Sequence, residues 1–142
     1  MKAKLILIIF FAMNIFSLAK VGETAPNFSL INQDNKKISL EEFRGKKVVL
    51  EWTNHECPFV KRHYETGNMQ KLQKELVEEN VIWLSIVSSA KGKQGYIDQD
   101  QAKELTLTRD ASPNHVLLDE DCSVGNMCVA KTTPHMLSLI HI

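Results

Sequence analysis

Chemically useful side chains cluster in one short segment, residues 54–58, between an apolar run and a helical pattern. Pro58 suits the first position of a helix, because a residue there needs no backbone N–H for the helix. Cys57 would then cap that helix, where free N–H groups and the positive end of the helix dipole favour a thiolate. The sequence therefore predicts a nucleophilic Cys57. The alternative is a buried cysteine that acts as a small hydrophobic side chain.

The elements around this segment read as strands alternating with helices. Residues 48–52 form a β-branched and aromatic run typical of a central strand, and a long helical pattern from Pro58 is interrupted at 67–68. The remaining predicted elements are a hairpin over 27–31 and 37–40, a short helical turn capped by Ser39, strands at 81–87 and 116–118, and a helix over 97–107. Strands separated by helices predict one α/β domain, with the strand at 47–52 central and flanked by strands near 81–87 and 135–139.

Composition excludes several classes of protein. The chain has 142 residues, enough for one domain, and its 44% hydrophobic and 24% charged residues are ordinary for a globular protein. Basic and acidic residues are equal in number, 17 of each, with no basic block, which argues against a nucleic-acid partner. Three cysteines are too few for a disulfide-stapled miniprotein.

Residues 1–19 have the pattern of a signal peptide. Lys2 and Lys4 precede an apolar run that is too short to span a bilayer, and Ser17 and Ala19 supply small residues for cleavage. The alternative is an uncleaved membrane anchor. Cleavage predicts an exported domain that begins at Lys20, with no membrane association afterwards and a periplasmic location if the source is a Gram-negative bacterium.

Several segments resemble the redoxin branch of the thioredoxin superfamily, which includes the alkyl hydroperoxide reductase/thiol-specific antioxidant proteins. The resemblance rests on residues 21–30 and 40–50, on an N-x-x-C-P-F-V element at 54–60 as in a peroxiredoxin-like subgroup, and on a cis-proline loop at 132–134. It extends from residue 21 to about 136. It implies a thioredoxin-like three-layer α/β sandwich around a central mixed sheet. It also implies that Thr133 presents its backbone to a substrate beside Cys57, while Pro134 holds a cis turn.

The site differs both from the thioredoxin motif and from the peroxiredoxin motif. Val60 stands where a thioredoxin has its second cysteine, and Asn54 stands where a peroxiredoxin has the threonine that positions peroxide. The resemblance thus implies a one-cysteine, thiol-dependent oxidoreductase that needs no cofactor. Its Cys57 would reduce peroxide or exchange with small thiols and disulfides, and an external thiol would restore it. The alternative is a non-catalytic module that binds a partner through the cis-proline groove.

Four further residues could assist or complicate this chemistry. His55 could add positive charge beside Cys57, and Asn54 could donate a hydrogen bond to a substrate. His55, Cys57 and His63 lack the spacing of a metal site, so no metal is expected. Cys122 and Cys128 could resolve an oxidised Cys57 or pair with each other, and the alternative is that both are incidental.

The carboxyl end is short for the expected fold. Only eight residues follow Pro134, whereas a thioredoxin-like sheet needs a hairpin and a covering helix there. Residues from about 137 to 142 also look non-native. The sequence therefore predicts a redoxin domain over 20–142 that is incomplete at its carboxyl end.

Overall fold

The computed structural model describes residues 18–140 and residue 142, so the predicted signal peptide lies almost entirely outside the described residues. One six-stranded sheet organises the chain, with strand order β2-β1-β5-β4-β3-β6. Its strands are β1 (Ser29–Asn32), β2 (Lys37–Ser39), β3 (Val48–Trp52), β4 (Ile82–Val87), β5 (His115–Leu118) and β6 (His135–Leu139). Four α-helices connect them, α1 (Pro58–Glu65), α2 (Asn68–Glu78), α3 (Gln99–Thr108) and α4 (Ser123–Met127), and a short 3₁₀ helix covers Leu40–Phe43.

The predicted neighbours of β3 are confirmed, and β3 is an interior strand, next to the outer strand β6. β3 runs parallel to β4 on one side, with Trp52 opposite Ile86, and antiparallel to β6 on the other, with Trp52 opposite His135. All five of its residues are buried. Because β3 is packed on both faces, the position of its carboxyl end is fixed, and the 53–57 loop begins at that end.

Two apolar layers cover the two faces of the sheet. Alternate residues of β3 supply them, because successive side chains on a strand point to opposite faces. Val48, Leu50 and Trp52 pack with Leu84, Ile86 and the α4 residues Val124 and Met127, whereas Val49 packs with Trp83 and the helix residues Val60, Tyr64 and Met69. The α/β class and the mixed sheet predicted from the sequence are confirmed.

Local signals in the sequence account for the helix boundaries. Ser39 and Glu42 form a capping box at the 3₁₀ helix, and the helical pattern from Pro58 divides into α1 and α2 at Gly67, which has a φ of +72°. Asp98 caps α3 by accepting a hydrogen bond from the Gln101 N–H at 2.9 Å. Among the described residues, no helix has both the length and the apolar character that a membrane span requires.

The predicted incompleteness at the carboxyl end stays a prediction. β6 forms an outer strand of the sheet and pairs with β3 as far as Leu139. Leu137 and Leu139 are partly buried against the core. These contacts position the chain directly after the cis-proline loop.

Candidate active site

Cys57 caps α1, as the sequence predicts. Its backbone is extended, with φ −68° and ψ 125°, and Pro58 occupies the start of the helix. The Cys57 carbonyl accepts the first helical hydrogen bond from the Lys61 N–H at 2.9 Å. The thiol is partly exposed, so it is accessible to a small substrate.

The cis-proline loop lies directly against the sulfur. The Thr133–Pro134 peptide bond is cis, as expected, and the Cys57 thiol donates to the Thr133 carbonyl with Sγ and the oxygen 3.2 Å apart. This loop is 76 residues away in sequence. The contact joins the end of β3 and the start of β6, which are neighbours in the sheet.

Hydrogen bonds lower the pKa of the Cys57 thiol below its ordinary value. The largest contribution comes from hydrogen bonding by the Thr133 side chain, followed by the backbone N–H groups of Val60 and Phe59, while burial acts in the opposite direction. The N–H groups belong to the first turn of α1, where they have no partner within the helix. The structure therefore favours a thiolate mainly by directing donors at the sulfur.

The surroundings of His55 disfavour the positive charge that the sequence suggested for its side chain. Burial, more than any nearby charge, lowers its pKa, so the imidazole is neutral at pH 7. A neutral ring contributes no positive charge to a thiolate. Its backbone carbonyl instead accepts a hydrogen bond from Arg109 Nη2 at 3.2 Å, which fixes the loop two residues before Cys57.

Asn54 shapes the loop. Its side-chain Oδ1 accepts a hydrogen bond from the Glu56 N–H at 2.9 Å, and its carbonyl accepts one from the Cys57 N–H at 3.0 Å. Together these bonds form an Asx turn that leads into α1. The turn uses Oδ1, whereas the predicted donation to a substrate would use Nδ2 and stays a prediction.

A second loop, which contains Gly95, packs against the loop that carries Cys57. The Gly95 N–H donates to Glu56 Oε2 at 2.6 Å. Gly95 has a φ of +79°, and a Cβ at this position would lie only 2.4 Å from Cγ of the Asn54 side chain. Only glycine permits this approach. The sequence analysis missed Glu56, Gly95 and Arg109, because nothing local marks a contact across 39 or 54 residues.

A buried carboxylate lies in the middle of β3. Glu51 is fully buried and accepts hydrogen bonds from Tyr64 Oη at 3.0 Å, Trp83 Nε1 at 2.8 Å and Ser85 Oγ at 2.8 Å. Gln73 Nε2 adds a fourth at 3.3 Å. These bonds compensate for burying the carboxylate. Burial and the Glu51 charge raise the pKa of Tyr64, which keeps this phenol protonated as a donor. A charged residue inside an apolar strand was the available sequence signal.

Cys122 and Cys128 lie at the two ends of α4, away from the position that a second active-site cysteine would take. Val60 fills that position and is fully buried. The two cysteines flank the five residues of α4, and six steps of about 1.5 Å along the helix axis separate their Cα atoms by about 9 Å, beyond the roughly 7 Å that a disulfide allows. A bond between them would require α4 to unwind. Their role as resolving cysteines stays a prediction.

Neither α4 cysteine is activated. Burial raises the pKa of the Cys122 thiol, and the charges of Asp119 and Asp121 add to the effect. Cys128 is buried, and burial followed by the charge of Asp119 raises its pKa to about 11. Cys57 alone among the three has surroundings that favour the nucleophilic form.

Curated proteins resemble part of this chain. A thiol-disulfide oxidoreductase, ResA, of Halalkalibacterium halodurans is 40% identical over 65 residues, which are 46% of this chain and 36% of that protein. The chain spans about a third or less of the length of the curated relatives it matches.

Solved structures share the fold. An uncharacterized conserved protein of Geobacillus kaustophilus superposes with a TM-score of 0.73 at 24% identity, over 88% of this chain and 64% of that one. The thioredoxin domain of a thiol-disulfide oxidoreductase of Bacteroides vulgatus gives 0.63 at 16% identity, over 86% and 81%. The family model of the AhpC/TSA proteins matches residues 21–139. That match includes β3, Cys57 and the cis-proline loop, and on it this chain belongs to the AhpC/TSA family.

Proposed function

We propose that this protein is an exported thiol-dependent oxidoreductase in which Cys57 reduces a peroxide. One observation carries the proposal. The Cys57 sulfur lies at the start of α1, 3.2 Å from the Thr133 carbonyl that accepts its hydrogen bond, and hydrogen bonds from the Thr133 side chain and from N–H groups of α1 lower the pKa of the thiol. A thiolate that is partly exposed and stabilised in this way is a ready nucleophile.

The proposed reaction proceeds in two stages. The Cys57 thiolate attacks one peroxide oxygen, the O–O bond breaks, and the leaving oxygen takes a proton and departs as water or an alcohol. Cys57 is thereby oxidised to a sulfenic acid. A thiol from solution then attacks this sulfur, releases water and forms a mixed disulfide. A second external thiol then attacks the outer sulfur of the mixed disulfide, forms a disulfide with the first, and releases Cys57 as the thiolate.

The reductant is proposed to be an external thiol. Val60 leaves no second cysteine in the first turn of α1, and the raised pKa of Cys122 and of Cys128 makes each a slow internal nucleophile at neutral pH. The same thiolate could also open a small disulfide without peroxide. That reaction belongs to the same site and requires the same residue.

Replacing Cys57 by Ser tests the catalytic proposal. We expect Cys57→Ser to abolish thiol-dependent consumption of hydrogen peroxide, whereas the matched control Cys122→Ser keeps most of it. The competing function is a binding module that uses the cis-proline groove without chemistry. Equal peroxide turnover by the wild type and Cys57→Ser would reject the peroxidase, and a bound partner retained by both would favour the module.

Export is proposed from the pattern of residues 1–19. Mass spectrometry of material from outside the cytoplasm should find Lys20 or Val21 at the amino terminus. A mature protein that still contains Phe10 and Phe11 would instead indicate a retained anchor.

A further inference from the structure

A small cavity lies beneath the loop that carries Cys57. It has a volume of about 40 Å³ and lies between the sheet and α3. Its apolar wall includes Val87, Ile97 and Leu105, and its polar wall includes Thr53 and His55. The volume exceeds the roughly 10–15 Å³ that one water molecule needs and is far below that of a pocket for a drug-sized ligand.

Two polar atoms on this wall are buried without a partner in the described part of the chain, Thr53 Oγ1 and His55 Nδ1. Other polar side chains of the lining each form a hydrogen bond within the protein. Ser85 Oγ donates to Glu51, Thr106 Oγ1 donates to the Ala102 carbonyl, and Arg109 donates to the His55 carbonyl. Since buried polar atoms are normally hydrogen-bonded, the two unpartnered atoms mark where an occupant would bind.

The chemistry of these atoms limits the occupant. A neutral imidazole offers one N–H and one acceptor nitrogen, and a threonine hydroxyl both donates and accepts. A molecule that can also do both would satisfy either tautomer of His55. A charged molecule would lose its hydration against Val87, Ile97 and Leu105, which is costly.

We propose that this cavity is a binding site for a small neutral hydroxylic molecule, with one or two oxygen atoms, held between Thr53 Oγ1 and His55 Nδ1. Water and hydrogen peroxide share this chemistry. Only the peroxide case rests on the proposed function. In either case the occupant ties the end of β3 to the residue two positions before Cys57.

The first experiment locates the occupant. In a crystal structure of the full chain at better than about 1.5 Å, we expect density within hydrogen-bond distance of both atoms. Density that contacts neither atom, or a cavity without density, would overturn the proposal. This measurement needs no substitution, so it does not depend on whether a variant folds.

The second experiment tests the hydrogen bonds by nitrogen-15 NMR of the His55 ring. Thr53→Val removes the hydroxyl and keeps the shape of the side chain, so the Nδ1 resonance should shift, whereas Thr53→Ser should leave it nearly unchanged. An Nδ1 resonance that is identical in the wild type and Thr53→Val contradicts the proposal.

Hydrogen peroxide titrated into Cys57→Ser identifies the occupant, because this variant cannot turn peroxide over. A saturable shift of the His55 resonance in Cys57→Ser that is absent when the chain also carries Thr53→Val assigns the site to peroxide. No shift, together with density in the crystal, assigns it to water. Failure of peroxide turnover by the wild type would reject the proposed function and leave both of the preceding measurements valid.

Discussion

Cys57 and Cys122 each cap the amino-terminal end of a helix, and their surroundings differ. Cys57 precedes α1, whose first N–H groups are free to approach the sulfur, and the pKa of its thiol is lowered. Cys122 precedes α4, whose first N–H groups are already bonded to a carboxylate. Val124 and Gly125 donate to Asp119 at 3.1 and 2.9 Å.

The difference shows that a helix start does not by itself activate a thiol. The donors must be available, and no carboxylate can occupy them first. At α4, burial raises the pKa of the Cys122 thiol most, and the carboxylates of Asp119 and Asp121, which replace the sulfur as the anions at the helix start, raise it further. The backbone of Cys122 also differs, since its φ of +58° is left-handed, whereas the φ of Cys57 is −68°.

The largest expected difference is in alkylation rate. At pH 7, iodoacetamide should label Cys57 at least about 100-fold faster than Cys128, because a thiol with a pKa near 11 is thiolate in only about one molecule in ten thousand. The rate of Cys57 labelling should rise with pH to a midpoint below that of an unfolded cysteine thiol. Mass spectrometry of the three cysteine peptides measures both. Faster labelling of Cys122 than of Cys57 would remove the basis of the comparison.

The second prediction concerns stability at high pH. The folded Cys128 thiol keeps its proton up to about pH 11, whereas the unfolded thiol loses it near 9, so folding stability falls as pH rises between these values. The wild type should lose up to about 3 kcal/mol in unfolding free energy across this window because of Cys128. Over the same pH window, the unfolding free energy of Cys128→Ala should fall by up to about 3 kcal/mol less than that of the wild type.

Urea unfolding of both proteins at pH 8, 9, 10 and 11 measures the difference. Tyr64, whose pKa is also raised, contributes equally to both and cancels. Parallel pH profiles would show that the burial of Cys128 is not maintained in solution.

The fold could be predicted from the sequence almost throughout, because its signals are local. The apolar run of β3, the break at Gly67 between α1 and α2, and Ser39 as a helix cap each depend on neighbours in the chain. The cap position of Cys57 and the cis peptide before Pro134 followed from the same kind of signal together with the family resemblance.

The hydrogen bonds that hold the site in place could not be predicted in the same way. The Arg109 bond to the His55 carbonyl and the Gly95 bond to Glu56 join segments that meet only in the folded chain. The pKa of His55 could not be predicted for a related reason. Its pKa depends chiefly on burial, which the sequence does not show, rather than on the charges beside it.

Substitutions at two glycines of one loop test how firmly that loop holds the turn before Cys57 in place. Gly92 and Gly95 have nearly equal φ angles, +78° and +79°, so alanine at either costs roughly 1–2 kcal/mol in backbone strain. At Gly92 the added methyl group meets nothing within 4 Å, whereas at Gly95 it overlaps the Asn54 side chain. Gly95→Ala should therefore destabilise the protein by about 1–3 kcal/mol more than Gly92→Ala.

The effect should extend to the thiol. Because Asn54 forms the turn before Cys57, Gly95→Ala should also raise the pH midpoint of Cys57 alkylation, and Gly92→Ala should not. Thermal unfolding and the alkylation profile measure the two effects. Equal destabilisation by both substitutions would mean that the loop moves freely away from Asn54.

The smallest expected effect isolates the carboxylates at α4. The charge of Asp119 raises the pKa of both Cys122 and Cys128, whereas the charge of Asp121 raises the pKa of Cys122 alone. Asp119→Asn should therefore speed the alkylation of both thiols by a few-fold, roughly the effect of removing one nearby charge, and Asp121→Asn should speed only Cys122. Cys57 labelling should not change in either variant, which makes it the internal reference. The unfolding free energy must be measured alongside, because Asp119 is fully buried and its loss as a carboxylate weakens two bonds at the start of α4. If Cys122 labels at the wild-type rate in both variants while the fold is intact, burial alone separates the two helix caps, and the occupied N–H groups at α4 are not the reason.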